Sequence, residues 1–144
     1  MTELAFHFNA ADKWGYMCRL LRKAAGRGSR VAVTGDQALL QQLDLGLWTF
    51  SALDFVPHCV DSCDAGMLAS SPVVFCKSPE TSPHHEVLLN LGADVAAGFE
   101  RFERLIEVVG TDDADRVASR RRWKHYLDRG YAITRHDLAT KDMR

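Results

Sequence analysis

The strongest constraint on this chain is a set of short runs that are apolar at most successive positions rather than at alternate ones. Residues 30–34 read RVAVT, 73–76 read VVFC, 87–91 read VLLNL and 105–109 read LIEVV. A strand with one wet face alternates polar and apolar residues, whereas a strand covered on both faces stays apolar and favours β-branched side chains. Pro72, Pro79, Pro83 and Gly92 punctuate these runs, as expected where strands end. Strands of this kind need helices on both faces of their sheet.

Helical spacing supplies those covers. Residues 4–8 read as a first short strand, and Asp12 is placed to cap a helix on which Trp14, Met17, Cys18, Leu21 and Ala25 recur until Gly26 and Gly28 stop it. The run 30–34 then turns through Gly35 and Asp36 into a second helix carrying Ala38, Leu39 and Leu43. A β-α-β-α opening followed by further strands predicts an α/β fold, a single three-layer domain with a mostly parallel sheet. With 144 residues and 47% hydrophobic content, one sizeable core is sufficient. The whole chain, 1–144, is therefore expected to be one domain, with a core over 1–133 and a C-terminal extension over 134–144. Residues 62–71 and 78–85 are small and polar and read as loops, and no internal repeat or low-complexity tract is present.

Composition and motifs exclude several functions. A formal net charge of −1 argues against a protein that coats nucleic acid over its whole surface, so any attraction to anions must be local. The first residues lack the basic start and apolar run of a secretory signal, and no stretch approaches ~20 apolar residues; a cytoplasmic setting without membrane contact is expected. Cys18, Cys59, Cys63 and Cys76 read as reduced, buried thiols. The Thr34-Gly35-Asp36 turn lies where α/β sheets often bind nucleotides, but there is no GxGxxG and no GxxxxGK[ST] to wrap phosphate oxygens, and no cofactor is expected. His58, Cys59 and Cys63, even with His84 and His85, have poor zinc spacing, because adjacent histidines do not readily face one ion. No nucleophile motif accompanies these residues. The Asp112-Asp113 pair reads as a helix start, favourable to the helix dipole and capped by Asp113 or Thr111, rather than as an acid/base couple.

Two segments carry binding chemistry. Between positions 116 and 129, Arg116, Arg120, Arg121, Arg122, Lys124 and Arg129 surround Trp123 and Tyr126, with Asp128 as the acid among them. At about 100° per residue, Arg116, Arg120 and Lys124 fall on one helical ridge beside a stripe of Ser119, Trp123, Tyr126 and Leu127. Such a border suits a ligand that is both negative and aromatic or aliphatic; a solvated helix whose Trp123 fills the core explains the same letters. Residues 45–60 crowd Trp48, Phe50, Leu53, Phe55 and Val56 around Pro57, which fits either core packing or an anchor for another protein.

Five blocks, in order and over nearly the whole chain, resemble the chi subunit family of bacterial DNA polymerase III: LGLWTFSALDFVPH at 45–58, PVVF at 72–75, LLNLG at 88–92, FERLIEVV at 102–109 and RRRWKHYLDRGYAI at 120–133. The resemblance implies a Rossmann-like domain without nucleotide chemistry. It also implies a non-catalytic accessory subunit with two partners: the psi subunit, in a 1:1 heterodimer that ties it to the clamp loader, and the acidic C-terminal tail of single-stranded DNA-binding protein. DNA would then be met only indirectly. Carried over block by block, Arg116, Arg120 and Lys124 would meet the tail's aspartates and terminal carboxylate. Trp123 would border the pocket for its last phenylalanine, and Tyr131 would be a further wall. Trp48, Phe55, Val56, Pro57 and His58 resemble the region that docks psi, with Phe55 as anchor. Two other readings compete: a single-stranded nucleic-acid binder using the same Arg/Lys/Trp helix, and a small enzyme acting on a phosphorylated metabolite at the Thr34-Gly35-Asp36 turn.

Overall fold

The computed structural model describes residues 2–50, 58–60 and 71–141. In chain order these form β1 (Glu3–Ala10), α1 (Lys13–Gly26), β2 (Val31–Thr34), α2 (Gln37–Phe50), β3 (His58–Val60), β4 (Val73–Cys76), β5 (Val87–Asn90), β6 (Arg104–Gly110), α3 (Asp113–Asp128), β7 (Ile133–Asp137) and α4 (Leu138–Lys141), with 3-10 turns at Pro79–Thr81 and Phe99–Arg101. The seven strands make one sheet in the order β3-β4-β2-β5-β6-β1-β7, and every neighbouring pair is parallel.

Alternation along the strands divides the interior into two cores. Val31 and Val33, Val73 and Phe75, Val87 and Leu89, and Ile106 and Val108 pack beneath α1 and α2 against Met17, Leu21, Leu43 and Leu47. Their neighbours Ala32, Val74, Cys76, Leu88, Leu105 and Val109, with Leu4 and Phe6 of β1, face the other side and meet Tyr126 and Trp123 of α3. The central strands β2, β4 and β5 are buried at every position, which is why their sequence carries no polar alternation. The expected three-layer α/β fold is therefore present, and its sheet is parallel throughout.

Local signals hold at α1. Asp12 accepts a hydrogen bond from the Gly15 amide (3.1 Å), and the helix ends at Gly26 with Gly28 in the left-handed region (φ 79°). The first strand runs past the expected 4–8 because Asn9 takes φ 63° and bulges the pairing between His7 and Ala10, a conformation that asparagine tolerates better than most residues. The expected boundary at 133 is overtaken by the sheet. Ile133–Asp137 pairs along β1 as an edge strand, and Leu138 is buried in the core beneath α1 and α2. Residues 45–50, grouped with the aromatic connection in the sequence, belong to α2.

Candidate functional site

The site is built on α3, and its starting point is a buried charge. Glu107 of β6 faces α3 and is fully buried. Burial pushes its carboxyl above the ordinary carboxylate range, while the Arg122 guanidinium and hydrogen bonds from Tyr126, Asn90 and Arg122 act against that rise. Arg122 Nε donates to Glu107 Oε1 (3.0 Å), the Tyr126 hydroxyl to Oε2 (2.6 Å) and Asn90 Nδ2 also to Oε2 (3.3 Å). Burial and the neighbouring carboxylate push the Tyr126 phenol up, so it remains a donor. Arg122 also reaches the Ala93 carbonyl (2.9 Å).

This network sets the rotation of the helix. Its inward face is Ala118, Ser119, Arg122 and Tyr126; the expected stripe of Ser119, Trp123, Tyr126 and Leu127 is displaced, and Leu127 is exposed. Arg122, grouped with the surface cations in the sequence, is 3% exposed because positions 122 and 126 lie one turn apart and both answer Glu107. The N-cap is Asp112, which accepts from the Asp115 amide (2.6 Å), in place of the expected Asp113 or Thr111. Asp113 and Asp115 fill the first turn, where negative charge meets the positive end of the helix dipole.

With Arg122 turned inward, Arg116, Arg120 and Trp123 border β1 and β7. They enclose a recess of about 610 Å³ together with Phe6, Phe8, Asn9 and Arg135. Trp123 stands edge-on to Phe6 with ring centroids 5.0 Å apart. The Arg135 guanidinium lies 5.8 Å from the Trp123 ring and 5.8 Å from the Phe8 ring, within cation–π range. Arg116 is steadied by Asn9 Oδ1 (3.3 Å), and Asn9 in turn donates to Asp137 (2.9 Å). The bulge at Asn9 thus aims a polar group at the guanidinium. Three guanidinium groups around an aromatic notch can hold a carboxylate or phosphate while burying an apolar side chain.

The structure brings Arg116, Arg120 and Trp123 together. Lys124 is exposed and is not part of the lining. Tyr131 packs on Phe99 (5.4 Å) and Tyr126 (6.5 Å) beside the core rather than at the recess.

A second surface lies at the opposite edge of the sheet. On α2, Leu45 and Trp48 are 64% and 59% exposed, and Val60 of β3 is also exposed. The Trp48 ring stands against His58 (5.3 Å), whose side chain is buried, hydrogen-bonded to Asp44 (2.6 Å) and packed on Phe75 (5.6 Å). His58 therefore braces this surface rather than contributing to it. Phe55, Val56 and Pro57 lie outside the described residues.

A sequence profile of the family described as DNA polymerase III chi subunit, HolC, matches residues 1–134. The chain belongs to the chi subunit family of DNA polymerase III. It is 31% identical over 122 residues to the DNA polymerase III subunit chi of Pseudomonas aeruginosa, covering 84% of this chain and 83% of that protein. Among solved structures, the C-terminal domain of the DEAD-box protein Dbp5 superposes with a TM-score of 0.57 at 14% identity, over 99% of this chain and 93% of that one, a likeness of fold alone. As a chi-family protein the chain is a replication accessory subunit.

At the Thr34-Gly35-Asp36 turn, a Cβ on Gly35 would meet the Gly92 amide nitrogen and Leu91 at 2.8 Å, so this glycine serves a close approach of two loops. Cys18, Cys59 and Cys76 are buried and unbridged, and Cys63 lies outside the described residues. Among the described residues no group of three metal-binding side chains converges, and no helix is long and apolar enough to cross a membrane. Two residues of the recess escaped sequence reasoning. Arg135 lies in the segment read as an extension, and Asn9 just beyond the expected first strand. Once β7 is recognised, its two-residue period places Arg135 on the same face as Phe6 and Phe8.

Proposed function

We propose that this chi-family chain is a non-catalytic adaptor. It holds the acidic C-terminal tail of single-stranded DNA-binding protein in the recess beside α3 and the psi subunit of the clamp-loader assembly on the surface around Trp48. The observation that carries the reading is the grouping of Arg116, Arg120 and Arg135 around Trp123, Phe6 and Phe8. Guanidinium groups suit the aspartates and terminal carboxylate of such a tail, and the ring-lined notch suits its final phenylalanine.

The magnitudes describe a reversible contact. Three exposed charge contacts contribute ~0.2–1 kcal/mol each and one buried phenylalanine ~1.5–3 kcal/mol. These terms reach roughly 2–6 kcal/mol; ordering the tail opposes them, and backbone contacts supply the remainder of a micromolar-range affinity, roughly −8 kcal/mol. Several tails on one oligomeric partner raise the effective concentration without tighter individual contacts.

The test is fluorescence anisotropy with a labelled acidic peptide ending in Pro-Phe. Binding should weaken roughly two- to thirtyfold in an Arg116→Ala, Arg120→Ala double variant, which removes two of the charge contacts, and at least tenfold on deletion of the terminal phenylalanine. Absence of binding at low salt, or equal binding by the double variant, rejects the assignment of this recess.

A further inference from the structure

Behind the α3 recess, across the same two strands, β1 and the edge strand β7, lies a second cationic surface. Side chains alternate along β1 and β7. Phe6, Phe8 and Arg135 reach the recess, whereas Ala5, His7, Thr134 and His136 border a trough of about 630 Å³ against α1. Along α1 and its C-cap, Arg19, Lys23 and Arg27 recur at every fourth position, form one ridge and are exposed. None of the three has an ion pair among the described residues. Arg104 of β6 supplies a fourth cation to the lining. The carboxylate that also lines it, Glu3, is exposed and lies 3.7 Å from Arg104. The lining's formally charged groups are therefore four cations and one acid, on a chain whose net charge is −1.

The trough has a direction. At one end Arg27 faces the start of β1, where Glu3 pairs in register with Arg104. At the other end the rings of Tyr16, His7 and His136 gather, with His7 4.6 Å from His136 and 5.7 Å from Tyr16. Leu20 and Ile106 supply apolar surface between them. Successive cations on the ridge rise by ~6 Å, a repeat that matches a polymer bearing one charge per unit along an extended backbone. A single chain terminus needs one clasp, as the α3 recess provides, whereas a row of evenly spaced cations serves a ligand charged throughout its length.

We propose that this trough binds single-stranded nucleic acid, with Arg19, Lys23 and Arg27 on successive phosphates and the Tyr16–His7–His136 group offering ring faces to an unpaired base. The proposal concerns a different face from the tail recess and does not rest on that reading. It gives the protein a direct contact with the strand, which the family resemblance does not imply.

The test uses the full chain and a fluorescein-labelled oligothymidylate, titrated by anisotropy from 20 to 200 mM salt (roughly the range over which counterion release dominates). The triple variant Arg19→Ala, Lys23→Ala, Arg27→Ala alters exposed positions, and a thermal melt matching the parent's confirms its fold. The expected result is oligonucleotide binding that weakens steeply with salt. In the triple variant it should fall at least tenfold, and the log–log salt slope should shrink by about 2, from three lost phosphate contacts at ~0.7 each. The Arg116→Ala, Arg120→Ala variant should bind the strand as the parent does. No binding at low salt, equal binding by the triple variant, or loss confined to the α3 variant overturns the proposal. So does an acidic peptide, rather than the oligonucleotide, being the ligand whose affinity depends on the α1 cations.

Discussion

Glu107 shows how one buried group can decide the chemistry of residues around it. Its carboxylate is matched by Arg122, Tyr126 and Asn90, so both oxygens have donors and α3 has one preferred rotation. Removing a single partner leaves a charge or acceptor stranded away from water. Arg122→Ala is accordingly expected to cost ~3–5 kcal/mol and Tyr126→Phe ~1–3 kcal/mol, whereas Arg121→Ala, at the adjacent position but on the exposed face, should stay within ~0.5 kcal/mol. Urea denaturation of the three variants at neutral pH measures the contrast. Equal effects at positions 121 and 122 would mean that the ion pair does not anchor the helix.

At the level of elements, the start of α3 gives a discriminating measurement. Asp112 caps through the Asp115 amide, so Asp112→Ala should lose ~0.5–2 kcal/mol. Asp113→Ala, which removes only a first-turn charge, should lose ~0.3–1 kcal/mol; the ranking follows from paired chemical melts. The same helix marks where the sequence was legible and where it was not. The runs over 30–34, 73–76 and 87–91 announced buried parallel strands because both their faces are covered, and α1 announced itself by cap, spacing and glycine stop. The rotation of α3 was hidden, since a charged residue turned inward breaks the rule that charges face water and its partner lies fifteen positions away on strand β6. β7 was hidden for another reason. Its residues ITRHD are only partly covered, as suits an edge strand, and such short polar letters carry no hydrophobic run. Of the recess, Arg116, Arg120 and Trp123 were readable from one helix, while Arg135 required knowing that β7 lies beside β1.

For the whole molecule, strand order separates the two proposed partner surfaces. Trp48 packs on His58 of β3, the first strand of the sheet, and the recess abuts β7, the last. Six inter-strand steps of ~4.8 Å set these edges roughly 29 Å apart. A Leu45→Ala, Trp48→Ala double variant should therefore lose a purified psi partner by at least tenfold yet bind the acidic peptide as the parent does. Calorimetric titration of each ligand with and without the other would expose any coupling. A change of more than about twofold would contradict independence.

The edge formed by β1 and β7 is a partition one residue thick, and its two sides are distinguished only by odd and even positions. A single-residue insertion or deletion in the turn at Gly130 that slid β7 by one place would carry the guanidinium of Arg135 to the α1 side and bring an imidazole or a hydroxyl in its stead. Both clefts would be rewritten by one slip. The length of that turn is therefore under a double constraint that no individual contact reveals.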